Sequence, residues 1–208
     1  MKIDNSVKDN LKQQIKEQSI LHKGAGIPLF DGYIAPFQIL NNDSVSFLRE
    51  RAMTILNKNN SNFMILKNTR DNDGENQPVD FINFPVLEVV DQVKDLLEKS
   101  FGAKVVSEYV LLSRLARLDK HKDYTESYFK DEKKPNHYKV PVGVSIFLGP
   151  DGGSPLSVYL SDKTVLQDKP GSMMVFGPTI EHDHPKGHDS YYIVYQPTLE
   201  FEVDCGCK

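Results

Sequence analysis

The chain has 208 residues and a formal net charge of -4 at pH 7. This length suits one domain with a sizeable hydrophobic core, and the acidic balance gives no electrostatic footprint for a nucleic acid partner. No apolar run reaches membrane length, and no positively charged start is followed by an apolar core, so we expect a soluble, cytoplasmic protein. The two cysteines, Cys205 and Cys207, are too few for a disulfide framework and are expected to be inert.

The first half of the chain is predicted to be mostly helical. Residues 4–22 carry a narrow apolar stripe at helical spacing, and residues 43–58 carry a broad one with Asp43 or Ser44 as its cap. Residues 84–101 have the most regular apolar repeat and end at a glycine. An edge strand at 27–37, a brief strand at 63–66 and a polar loop at 68–77 complete this half.

From residue 105 the pattern changes to short strands separated by turn signals. These strands are predicted at 105–118, 140–148, 156–160, 164–167, 172–176 and 190–196. Helices first and strands after is typical of an α+β fold, and several short, closely spaced strands indicate a sandwich or jelly roll. We therefore predict a single domain, 1–208, in which a helical support region (1–104) packs on one sheet of a strand-rich core (105–198).

The motif His121-Lys-Asp123 follows a strand and is the first candidate site. Side chains two residues apart on a strand project to the same side, so both can reach one metal ion. A downstream histidine would complete a two-histidine, one-carboxylate set that leaves three positions of an octahedral iron open. His182 and His184 are the candidates, and they would share a side if their segment is extended.

Four features of the second half stand in a characteristic order. They are His121-Lys-Asp123, a strand from Val142 that ends in Gly152-Gly153, the turn and strand Lys169–Phe176, and His182 six positions later. In this order and spacing, the region 105–198 resembles the double-stranded β-helix of the iron(II)/2-oxoglutarate-dependent dioxygenases, nearest to their prolyl-hydroxylase-like branch.

This resemblance implies a double-stranded β-helix, or jelly roll, with the N-terminal helices packed on one sheet. It implies Fe(II) held by His121, Asp123 and His182, with His184 as the alternative third ligand. It also implies 2-oxoglutarate as co-substrate and hydroxylation of a C–H bond in a small molecule or in a protein or peptide residue. In this chemistry the cofactor performs the reaction, while the protein holds it and orients the substrate.

The sequence departs from the family at the anchor for the distal carboxylate of 2-oxoglutarate. The family uses Arg or Lys on the final strand, about ten residues after the last histidine, but residues 190–194 contain no cation. Arg114 and Arg117 are possible substitutes, and on a regular strand they would point to opposite faces, so at most one would enter the barrel.

Other groups near that position are a lysine on the histidine-rich turn and hydroxyl groups on the final strand: Lys186, Ser190 and Tyr192. The missing anchor keeps two alternatives open. One is a jelly-roll binding or structural protein without catalysis, and the other is a cupin-like metalloenzyme that uses the same ligands without 2-oxoglutarate.

Overall fold

The computed structural model describes residue 3 and residues 5–18, 33–70, 80–115, 117–126, 128–131, 133–134, 136–184 and 189–202. Several predicted features lie outside these residues: the end of the first helix and the start of the edge strand (19–32), most of the polar loop (71–79), Lys186, Cys205 and Cys207.

In the part of the chain that the structure describes, three helices form as the apolar repeats predict: α1 (Asn5–Gln18), α2 (Asn42–Lys58) and α3 (Phe84–Phe101). The predicted cap of α2 was wrong, because the helix begins at Asn42 and the side chain of Asn41 accepts the hydrogen bond from the Ser44 amide at 2.9 Å. Helix α3 ends at Gly102, whose φ of 64° suits glycine. No helix in the described residues is long and apolar enough to cross a membrane.

Within the described ranges, twelve strands follow or separate the helices. They are β1 (Tyr33–Gln38), β2 (Phe63–Asn68), β3 (Lys104–Leu115), β4 (Leu118–His121), β5 (Phe129–Lys130), β6 (His137–Pro141), β7 (Gly143–Gly149), β8 (Leu156–Tyr159), β9 (Thr164–Gln167), β10 (Ser172–Phe176), β11 (Glu181–His184) and β12 (Ser190–Glu202). The larger sheet has eight strands in the order β1-β10-β7-β12-β3-β2, with β6 on β12 and β5 on β6. The smaller sheet has four, in the order β4-β11-β8-β9.

The long strand β12 organises the larger sheet. Along one edge it pairs with β3, and along the other it pairs first with β7 and then with β6, all antiparallel. The single strand predicted at 140–148 is therefore two, divided at Val142, whose amide bonds to the carbonyl of Pro197. The final strand also runs beyond its predicted end, because the partner β6 extends the pairing of β12 to Glu202.

The two faces of the larger sheet have different partners. One face packs on the helices, with α2 against β3 and β7 and α3 against β3 and β12. The other face turns towards the smaller sheet, where Phe147 and Tyr192 pack with Leu156, Val158 and Met174 in a second apolar cluster. Side chains on a strand alternate between faces, so one sheet serves both layers. The α+β prediction, with helices on one sheet of a jelly roll, is confirmed.

Candidate metal centre and adjoining cavity

Three ligand-type side chains converge on the smaller sheet. Strands β4 and β11 pair antiparallel so that His121 stands opposite His182, and Asp123 follows two residues after β4 ends. The Oδ1 atom of Asp123 lies 3.8 Å from Nε2 of His121 and 3.7 Å from Nε2 of His182. One ligand atom from each residue lies within 4.8 Å of the other two. A His-Asp-His triad is thus present.

Backbone carbonyls orient both imidazole rings. Nδ1 of His121 lies 2.8 Å from the carbonyl oxygen of Asp119, and Nδ1 of His182 lies 3.0 Å from that of Ile180. A carbonyl oxygen only accepts hydrogen bonds, so each Nδ1 carries the hydrogen and each Nε2 presents its lone pair to the Asp123 side. This arrangement is the usual support of a metal-binding histidine.

Burial keeps the site ready for a cation. The side chains of His182 and Asp123 are 7% and 13% exposed. Burial lowers the pKa of His182, against the opposing pull of the Asp123 carboxylate, so the imidazole is neutral at pH 7. Two imidazoles and one carboxylate on one side of a point fit a divalent ion such as Fe(II) that keeps further positions open.

His184 is the neighbouring histidine of β11, and it does not belong to the triad. Its ring packs edge-on against Tyr192 with the centroids 4.6 Å apart. Burial, followed by the neighbouring His182, lowers the pKa of His184 to about 4. Among the described residues no hydrogen-bond partner meets its Nδ1. The structure therefore brings His182, not His184, to Asp123.

A cavity of about 300 Å³ opens between the sheets beside the triad. Most of its wall is apolar, formed by Leu111, Leu115, Leu118, Leu156, Phe176 and Val194. Its polar lining outside the triad comes from Asn62, Ser113, Arg114, Ser145, His184 and Gln196. The triad thus stands at the side of a mainly hydrocarbon chamber, an arrangement typical of small-molecule sites.

Of the two arginines expected near a co-substrate, one lines the cavity and the other does not. Arg114 lines the cavity, and its Nε and Nη2 donate to Asp189 at 3.1 and 2.6 Å. Arg117 pairs with Asp119 and is 72% exposed. The expectation that both arginines share one regular strand was wrong, because β3 ends at Leu115 and Arg117 lies between β3 and β4.

The hydroxyl groups of the final strand are already engaged. Tyr192 is fully buried and donates its hydroxyl to the carbonyl of Ser154, and Ser190 accepts from the Ser154 amide at 2.6 Å. Neither side chain is part of the cavity wall. Their interactions fasten β12 to the segment before β8.

Sequence reasoning missed several residues of the site, among them Gln196 and its hydrogen-bond partner Arg70. Gln196 lines the cavity, and Arg70, which follows the end of β2, donates a hydrogen bond to the side chain of Gln196. The alternation along β12 could have placed Gln196 on the same face as Val194 and Tyr192. For Arg70 the sequence held no signal, since its partner is 126 positions away.

The fold belongs to the class of double-stranded β-helix structures found in 2-oxoglutarate- and iron(II)-dependent oxygenases. A Trichoplax adhaerens prolyl hydroxylase, solved with a peptide fragment of the hypoxia inducible factor oxygen degradation domain, is similar at a TM-score of 0.61 and 12% identity, covering 94% of this chain and 91% of that one. A Pseudomonas putida prolyl-4-hydroxylase gives 0.57 and 13%, covering 90% and 97%. A 2OG-Fe(II) oxygenase family oxidoreductase from Burkholderia pseudomallei gives 0.51 and 11%, covering 96% and 92%. No family model and no curated protein matches this chain.

Proposed function

We propose that the chain is a non-haem iron(II)- and 2-oxoglutarate-dependent dioxygenase that hydroxylates a C–H bond. The observation that carries the proposal is the convergence of His121, Asp123 and His182 beside a cavity in a double-stranded β-helix. A substrate that is either a small molecule or a protein or peptide residue is consistent with this site. The Trichoplax adhaerens enzyme, of similar fold, was solved with a peptide.

In this proposal His121, Asp123 and His182 would hold Fe(II), which together with 2-oxoglutarate as electron donor would activate molecular oxygen, the oxidant of the hydroxylation. The protein holds each imidazole by its Nδ1 hydrogen bond, so that both Nε2 atoms stay directed at one point. The apolar wall excludes water from the space in which the substrate C–H bond lies. His182 does not need to lose a proton at pH 7 before it binds the metal, because burial keeps its pKa low and its imidazole neutral.

Arg114 is proposed to bind the distal carboxylate of 2-oxoglutarate. It lines the cavity and lies opposite Tyr191 at the start of β12, one position from Tyr192, where the resemblance expects a cation. Asp189 occupies the Nε–Nη2 edge of the guanidinium, and no described residue bonds to Nη1. The planar fork of an arginine has donors for a second carboxylate on that side.

The experiment is anaerobic titration of the protein with Fe(II) and 2-oxoglutarate. The expected result is a weak visible absorption band that requires both ligands and disappears in Asp123→Ala, followed by succinate release when oxygen and substrate are supplied. Arg117→Ala is the matched control and should keep the band, because Arg117 is exposed and pairs with Asp119. Absence of any iron-dependent stabilisation or absorption would remove the proposal.

A second candidate is a metalloenzyme of cupin type that uses the same three ligands without 2-oxoglutarate. Its support is the position on β12 where the resemblance expects a cation. Tyr192 stands there instead, buried and with its hydroxyl donated to the carbonyl of Ser154. Metal binding with no 2-oxoglutarate binding and no succinate release would favour this candidate over the dioxygenase.

A further inference from the structure

Gln196 presents a hydrogen-bond donor to the cavity, in a fixed orientation. Nη2 of Arg70 lies 2.9 Å from the side-chain oxygen Oε1 of Gln196 and 3.1 Å from its backbone oxygen. A guanidinium has only donors, so the atom that faces it must be the amide oxygen. The other branch of the amide, Nε2, is therefore the one left for the cavity that Gln196 lines, and among the described residues nothing accepts a hydrogen bond from it.

Arg70 is itself held in place. Its guanidinium lies over the ring of Tyr109 at 4.8 Å and over that of Tyr124 at 5.7 Å. Tyr109 pairs with Gln196 across β3 and β12, and Tyr124 directly follows the triad residue Asp123. The two rings already restrict the guanidinium of Arg70. Its hydrogen bond therefore holds the side-chain amide of Gln196 in one orientation before any ligand binds.

The positive charge of Arg70 influences which hydrogen-bond acceptor the side chain of Gln196 prefers. Within the described part of the chain Arg70 forms no ion pair with a carboxylate, whereas Arg114, which lines the cavity, is paired with Asp189. A positive charge in contact with Oε1 polarises the amide and strengthens Nε2 as a donor. Such a donor favours a negatively charged acceptor over a neutral one.

Gln196 and Arg114 serve different ends of the cavity. Arg114 lies opposite Tyr191, and Gln196 follows Tyr191 by five residues, which places it about 17 Å further along β12 at roughly 3.4 Å per residue. Gln196 is also linked to the segment that carries Asp123, because Arg70 donates to Gln196 and lies over the ring of Tyr124, the residue after Asp123. The donor at Gln196 is thus separate from the proposed anchor of the keto acid and is available to the substrate.

We propose that the substrate is an apolar carboxylate: its hydrocarbon part fills the Leu- and Val-lined cavity, and its carboxylate accepts a hydrogen bond from Nε2 of Gln196. In this assignment Gln196 determines specificity and Arg70 is its positioning residue. The inference deepens the proposed function and rests on it for the reaction, whereas the binding step depends only on the cavity and can be measured without metal.

The test compares 3-phenylpropionate with 3-phenylpropan-1-ol, two probes that share a hydrocarbon part and differ in the acceptor group. Binding of each to the full, metal-free chain is measured by calorimetry or ligand-observed NMR. The expected result is that wild type binds the carboxylate about tenfold more tightly than the alcohol. In Gln196→Glu this preference should disappear, because the new carboxylate repels the probe while its pairing with Arg70 preserves the fold.

Ser113→Ala is the matched control, since Ser113 also lines the cavity and the hydrogen bonds of the Arg70 side chain go to Gln196 instead. It should keep the preference. Arg70→Met should reduce the ratio of the two affinities and Arg70→Lys should restore part of it, whereas a purely structural role of Arg70 would weaken both probes equally. An unchanged ratio in Gln196→Glu, or no binding of either probe to wild type, would overturn the inference. Failure of the iron titration would remove the dioxygenase proposal and leave this binding result intact.

Discussion

The ring of Phe176 lies against the backbone of Gly143, on the neighbouring strand, where any side chain would overlap it. A Cβ atom at position 143 would stand 2.7 Å from Cζ of Phe176. The same Phe176 ring packs on His182 with the centroids 4.7 Å apart. The absence of a side chain at position 143 therefore helps to place a candidate metal ligand on the opposite sheet.

Gly143→Ala should weaken metal binding without unfolding the protein. The added methyl group forces the Phe176 ring towards His182, and overpacking of this kind costs about 1–3 kcal/mol. Mn(II) affinity measured by electron paramagnetic resonance should fall about tenfold or more. The double variant Gly143→Ala with Phe176→Leu should regain most of the affinity, because the smaller side chain removes the overlap. No recovery would show that Phe176 does not transmit the effect.

Separate substitutions of the two buried histidines of β11 can identify the third ligand of the metal. His182→Gln should abolish Mn(II) binding, because the Nε2 atom 3.7 Å from Asp123 is lost. His184→Phe should keep it, since His184 lies outside the triad and a phenyl ring can maintain the contact with Tyr192. The reverse result would assign the ligand to His184.

The proposed role of Arg114 predicts a selective loss of 2-oxoglutarate binding. Arg114→Met should raise the dissociation constant of 2-oxoglutarate for the Mn(II)-loaded protein at least tenfold, since a charge-assisted hydrogen bond contributes about 1.5–3 kcal/mol. Mn(II) affinity itself should not change. Arg117→Met serves as the control, because that side chain is exposed on the segment between β3 and β4. Equal effects of the two substitutions would remove Arg114 from the site.

The metal-free protein should lose stability in mild acid because of His184. Its pKa is about 4 when folded and about 6.5 in an unfolded chain, so the unfolded state takes up a proton first as the pH falls. The contribution of neutral His184 to the free energy of unfolding is therefore fully present above pH 6.5. It is lost as the pH falls towards 4, which lowers the free energy of unfolding by about 3 kcal/mol for a shift of this size. Urea unfolding at pH 7, 6 and 5 with a chelator measures the slope. His184→Phe should have a smaller slope, and an unchanged one would contradict the assignment.

The parts of the molecule that were predictable are those in which local sequence decides the structure. Helix α3 follows from a regular apolar repeat that ends at Gly102, and the helices-then-strands order follows from the change of pattern at residue 105. The two-residue spacing of His121 and Asp123 also anticipated that their side chains would point together. In each case the interacting residues are close in sequence, so a periodic pattern carries the information.

The parts that were not predictable depend on distant partners. Strand β11, with the sequence Glu-His-Asp-His, has no strand-like composition and is extended because β4 and β8 pair with its two edges. The sequence predicts Arg114 and Arg117 on one strand, but the chain leaves the larger sheet after Leu115 to enter the smaller one. The contact between Arg70 and Gln196 joins positions 126 apart. No local pattern records such long-range pairings.

The candidate metal ligands all come from the smaller sheet or the segment that follows β4, whereas Gln196, Val194, Leu111 and Ser113 lie on the larger sheet. The candidate metal ligands and these lining residues therefore belong to separate layers. Substitutions on the inward positions of β3 and β12 can reshape the chamber while the three ligand atoms keep their mutual distances. Such a division allows the same three ligands to be combined with chambers of different shape.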